Sequence, residues 1–78
     1  MSQSDKDQRI QNAISLFTSG QIKECLKATS KLAQTYPNEP FLYNLLGVAS
    51  ATEHQFEEAI AFYNKAIKLA PQYVEVLN

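Results

Sequence analysis

Moved along by 34 positions, this sequence of 78 residues falls back on itself. Thr18 then meets Thr52, Gln21 meets Gln55, Glu24 meets Glu58, Lys31 meets Lys65, Pro37 meets Pro71 and Asn44 meets Asn78. Similar pairs join them: Ala13 with Gly47, Ile14 with Val48, Ile22 with Phe56, Cys25 with Ala59 and Leu26 with Ile60. Turn residues, small residues and prolines all keep the same period. A period of this length means a supersecondary unit that cannot bury its apolar face alone, so the copies have to stack.

Within each copy the shorter periodicity is helical. The first segment, from about Asp5 to Ser19, carries Ile10, Ala13, Ile14, Leu16 and Phe17 at three- and four-residue steps. Ser4, Asp5 and Asp7 offer a cap and negative charge at its start, and Gly20 suits a left-handed turn at its end. The second, from Ile22 to Tyr36, repeats Ile22, Cys25, Leu26, Thr29, Leu32 and Ala33 and stops before Pro37. The third begins near Glu39, with Asn38 as candidate cap and Pro40 in the first turn, and runs to about Thr52. It is apolar over most of its circumference and should be the most buried. The fourth, from Phe56 to Ala70, has Phe56, Ala59, Ile60, Tyr63, Ala66 and Ile67 on one stripe and stops before Pro71. Its acids lie at the start and its lysines near the end, as the helix dipole favours.

Connections of two to four residues make sequential helices antiparallel neighbours. The expected fold is all-α, two antiparallel helix–turn–helix hairpins.

A 34-residue helix–turn–helix period closed by proline resembles the tetratricopeptide repeat. In the second copy, Tyr43, Leu46, Gly47, Ala59, Tyr63, Ala66 and Pro71 stand where that pattern wants aromatic, large, small and terminating residues. Ser50 departs from it in place of a large residue, and His54 in place of the turn glycine. The first copy fits at Ala13, Leu16, Gly20, Ile22, Cys25 and Pro37. It departs at Arg9, Asn12 and Thr29, and at Leu32–Ala33, where the small–large order is reversed. The resemblance covers about Lys6 to Asn78 and implies a tail at 1–5, repeats at 6–39 and 40–73, and the opening of a third at 74–78. It identifies the chain as an α-solenoid fragment, expected to be a piece of a longer array. Gly47 and Ala59 are expected to meet where the second pair of helices cross, with Tyr43, Phe56 and Tyr63 filling the space beside them. The outward face of the second hairpin is expected to want a third, which Val74, Val76 and Leu77 can cover only in part.

Composition excludes several functions. Seven basic and eight acidic residues, interspersed, give a net charge of -1 and no reason to expect a nucleic-acid partner. Lys23, Lys27 and Lys31 share a helix face, which reads as a solvated outer surface. No apolar run approaches a membrane span or a signal peptide, so a cytoplasmic protein with no membrane partner is expected. Cys25 is a single cysteine, expected to be a compact core residue opposite Ala13. His54 is a single histidine, of a type that accepts a left-handed turn more readily than most. No phosphate loop, metal-ligand spacing or nucleophile–base set is present, so the sequence calls for no enzyme, no cofactor and no metal.

In the family it resembles, the first helix of each hairpin lines a concave groove that holds a peptide or a helix. The resemblance therefore places Ile10, Ile14, Phe17, Phe41, Asn44, Val48 and Thr52 on a partner-binding groove. These are apolar for an open surface, and contiguous exposed apolar surface marks binding sites. A rotated first hairpin would instead bury Ile10, Ile14 and Phe17. Some relatives clamp a peptide's terminal carboxylate with basic and amide side chains. Here Ile10, Ile14 and Leu45 stand in that region, which speaks against such a clamp. The expected function is a protein–protein interaction module. The alternatives are a substrate-recruiting appendage of a larger enzyme such as a transferase, or a self-assembly element whose exposed repeat ends make a homo-oligomer.

Overall fold

A computed structural model of the chain describes residues 2–71, with side chains from Asp5 onward. Four helices follow one another: α1 (Ser2–Thr18), α2 (Ile22–Thr35), α3 (Pro40–Thr52) and α4 (Phe56–Leu69). There is no strand among the described residues. The expected truncated third repeat at 74–78 lies outside them.

The two hairpin turns are built alike. Gly20 takes φ 86 and His54 φ 64, both left-handed. At each turn the next amide reaches back five residues, Gln21 N–H to the Leu16 carbonyl and Gln55 N–H to the Ser50 carbonyl, each at 2.9 Å. Inside that loop Gly20 N–H bonds the Phe17 carbonyl at 3.1 Å and His54 N–H the Ala51 carbonyl at 3.0 Å. This is the paired bonding of a helix end closed by a left-handed residue. Gln21 and Gln55 then start the following helices, their carbonyls accepting from Cys25 N–H and Ala59 N–H. The helices α2 and α4 end alike too, at Tyr36 and Ala70, each directly before a proline.

Three local expectations are corrected. α1 starts at Ser2 rather than near Asp5, because no breaker interrupts the polar opening. Asn38 is not the cap of α3. Glu39 holds that position in extended backbone, without a side-chain bond to the helix. Phe56 does not fill the core, being 58 % exposed.

The core lies among α1, α2 and α3. Ala13, Cys25, Leu32, Ala33, Leu42, Leu45, Leu46 and Ala49 form one buried cluster. As expected, α3 is the most buried helix, with Leu42, Leu45, Leu46, Gly47, Ala49 and Ser50 shielded. It packs on α4 behind it and on α2 and α1 before it. Cys25 and Thr29 are both fully buried, sulfur and hydroxyl 3.7 Å apart, so the thiol sits in the core as expected.

The crossing in the second hairpin is close at Gly47. A methyl group placed on Gly47 would lie 2.5 Å from Tyr63 Cε1, so it is the tyrosine ring, one turn beyond Ala59, that sits over the glycine. The first hairpin shows the converse. Ala13 stands at the position of Gly47 and Thr29 at that of Tyr63. Where the ring shrinks to threonine, a methyl group is admitted, and both residues are fully buried.

Candidate functional site

Antiparallel packing of successive helices sets α1 and α3 parallel, and the two touch. A contact at their beginnings clasps them together. Lys6 Nζ binds the Glu39 carboxylate just before α3 and lies 5.4 Å from the centre of the Tyr36 ring. The hydrogen bond to Glu39 is the main cause holding the Lys6 ammonium above its ordinary pKa. Partial desolvation opposes it, and the charges of Glu39 and Asp7 add to it.

Beyond this clasp each helix carries its own stripe. On α1 these are Ile10, Ile14 and Phe17, all half-buried and packed against the core cluster. On α3, Phe41 is half-buried and packed on the core, Asn44 and Val48 are half-buried, and Thr52 is exposed. Thr52 Oγ1 donates to the Val48 carbonyl at 2.9 Å. No charged residue belongs to either stripe. Leu45, read from sequence as lying in the same region, is 7 % exposed and belongs to the core. This strip offers dispersion contact, one amide and one hydroxyl, and no group for acid–base or nucleophilic chemistry.

Two other surface features stand out. Along α4, Phe56, Ile60 and Ile67 are 58 %, 59 % and 39 % exposed. Sequence reading placed them on one stripe with Ala59, Tyr63 and Ala66, of which Ala59 and Ala66 are buried. The repeat explains the difference, since their counterparts on α2 are Ile22, Leu26 and Ala33, which α3 and the core cover. Between α1 and α2 an open indentation of about 580 Å³ is floored by Leu32 and rimmed by Arg9, Asn12, Ala28 and Lys31. It exists because Arg9, Asn12 and Ala28 replace Tyr43, Leu46 and Phe62 of the second hairpin. Arg9 is partly neutralised by Asp5, one turn away at 3.4 Å.

His54 serves the turn, its ring edge-on to Phe56 with centroids 5.8 Å apart. Among the described residues no cluster of metal-ligating side chains occurs, and no helix is long and apolar enough to cross a membrane.

A family model described as the tetratricopeptide repeat matches residues 40–73. No curated protein and no solved structure matches the chain.

Proposed function

We propose, on the match of residues 40–73 to the tetratricopeptide repeat, that the chain is a protein-interaction module that takes an apolar peptide or helix along α1 and α3. The observation that carries this is the strip from Ile10 to Phe17 on α1 beside Phe41, Asn44, Val48 and Thr52 on α3. It is apolar but for Asn44 and Thr52, half-buried except at the exposed Thr52, and free of charge. Half-buried apolar side chains gain most from a partner that removes the remaining water, and their firm seating on the core costs little entropy on binding. Asn44 and Thr52 are placed to bond a partner's backbone. The buried, unpaired thiol of Cys25 suits a reducing, cytoplasmic setting. No catalysis, nucleic acid or membrane enters this reading.

Asn44→Lys with Val48→Lys tests it, because neither residue is part of the buried core. Partners captured by the wild-type chain should be lost to the double variant, while its helical content and melting temperature stay close to wild type. Partners retained at wild-type level would rule out this strip as the binding face.

A further inference from the structure

The two end faces of this stack are chemically unlike, and the difference decides how copies of the chain can meet. Within the molecule, α2 presents Ile22, Leu26, Thr29 and Ala33, and α3 packs over them. Moved by one period, the same stripe on α4 is Phe56, Ile60, Tyr63 and Ile67; Tyr63 is half-buried with its ring on Gly47, and Phe56, Ile60 and Ile67 stand open. A second copy stacked head to tail would have to cover it with α1, as α3 covers α2. The residues of α3 that face the core or its edge are Phe41, Leu42, Leu45, Leu46 and Ala49. Their counterparts on α1 are Asp7, Gln8, Gln11, Asn12 and Ser15, every one polar and exposed. That face cannot replace water on an apolar stripe without stranding its polar groups.

We propose that the α4 face is closed by the same face of a second copy, around a two-fold axis, with the two α4 helices antiparallel. At 100° per residue, Phe56, Ile60 and Ile67 lie within one narrow stripe, so two such stripes can meet along their length. Glu57 in the first turn and Lys68 in the last lie on the same flank of that stripe, both exposed. Among the described residues neither is in an ion pair. Antiparallel pairing brings like flanks together end for end, so Glu57 of each copy meets Lys68 of the other, giving two pairs by symmetry. Parallel pairing around a two-fold axis would set this flank against the opposite flank of the partner, where Ala59 and Ala66 lie, and would form neither pair. The contact is isologous and closes at two copies, whereas head-to-tail stacking would have no end. It uses the face opposite hairpin 1 and is independent of the strip on α1 and α3.

Sedimentation equilibrium of the 78-residue chain from micromolar to millimolar concentration tests this. The mass should rise and level off at twice that of one chain. Lys68→Glu should weaken the dimer on the order of tenfold, and Glu57→Lys in the same chain should restore it. Ile60→Glu should give a monomer with unchanged helical content. A monomer throughout would overturn the proposal, leaving residues 72–78 or water on the face. Growth beyond two copies would overturn it in favour of open stacking. Failure of the charge exchange to restore the dimer would overturn the antiparallel arrangement. None of these results would alter partner capture by the strip on α1 and α3, which fails or stands on its own variants.

Discussion

His54 holds a left-handed backbone at φ 64 that an L-residue with a Cβ adopts only at a cost. Gly20 does the same work in the first turn without that cost. His54→Gly should therefore stabilise the chain by about 1 kcal/mol, less what is lost with the edge-on contact to Phe56. Reversible urea unfolding measures it, and a lower midpoint for the variant would show that the ring contact outweighs the strain. Tyr43 belongs to the same scale. Its hydroxyl donates to the Pro37 carbonyl at 3.0 Å, tying α3 to the α2–α3 connection, while Lys65 Nζ lies 5.6 Å from the ring centre. Tyr43→Phe keeps the ring and loses the bond, so the expected cost is about 0.5–1 kcal/mol. An unchanged unfolding midpoint would mean that water replaces the carbonyl's partner at no cost. His54 was legible in sequence because one period earlier stands a glycine. The Tyr43 bond was not, because nothing in a residue's type says which carbonyl its hydroxyl will reach.

Between helices, the pairing of Gly47 with Tyr63 governs the second hairpin. Glycine to alanine inside a helix ordinarily gains about 1 kcal/mol. Here the added methyl group meets the Tyr63 ring at 2.5 Å, so the ring must leave its seat. Gly47→Ala should cost about 1–2 kcal/mol net. With Tyr63→Ala already present, the same change should become neutral or favourable. A double-mutant cycle by denaturant unfolding reads the coupling, and simple additivity of the two changes would show that the ring and the glycine do not meet. At this scale the sequence was most informative where a residue acts on its own backbone. Pro37, Pro71, Gly20 and the three–four stripes placed the helix ends within a few residues. It was least informative where several local choices compete. Asn38 is a good capping residue, yet Glu39 takes the position, since Pro40 fixes where the helix begins. Gly47 was rightly read as a place of close approach. That the Tyr63 ring is what lies nearest it was not legible, because Ala59 and Tyr63 lie one turn apart on the same face and periodicity cannot choose between them.

For the whole molecule, the open face on α4 sets the behaviour of the chain in solution. If a second copy closes it, folding and association are linked, and the melting temperature rises with protein concentration. Extending the chain to complete a third hairpin should raise the melting temperature and remove its concentration dependence together. Two melts a hundredfold apart in concentration that coincide would separate stability from association. Phe56 shows why this face was only half legible. Read as one position of a repeat it belongs inside, but a position becomes interior only when the next element arrives to cover it. The strip on α1 and α3 posed a different difficulty. Ile10, Ile14 and Phe17 could have been groove or core by spacing alone. They lie between the two, seated on the core yet still open to water.

The claim that this strip receives the partner is tested most directly by placing a photo-crosslinking residue at Asn44 in one chain and at Lys27, on the exposed face of α2, in another. After irradiation of the intact protein in cells, the account predicts a covalent adduct to another protein from position 44 and none from position 27. Adducts from position 27 with none from position 44 would contradict it.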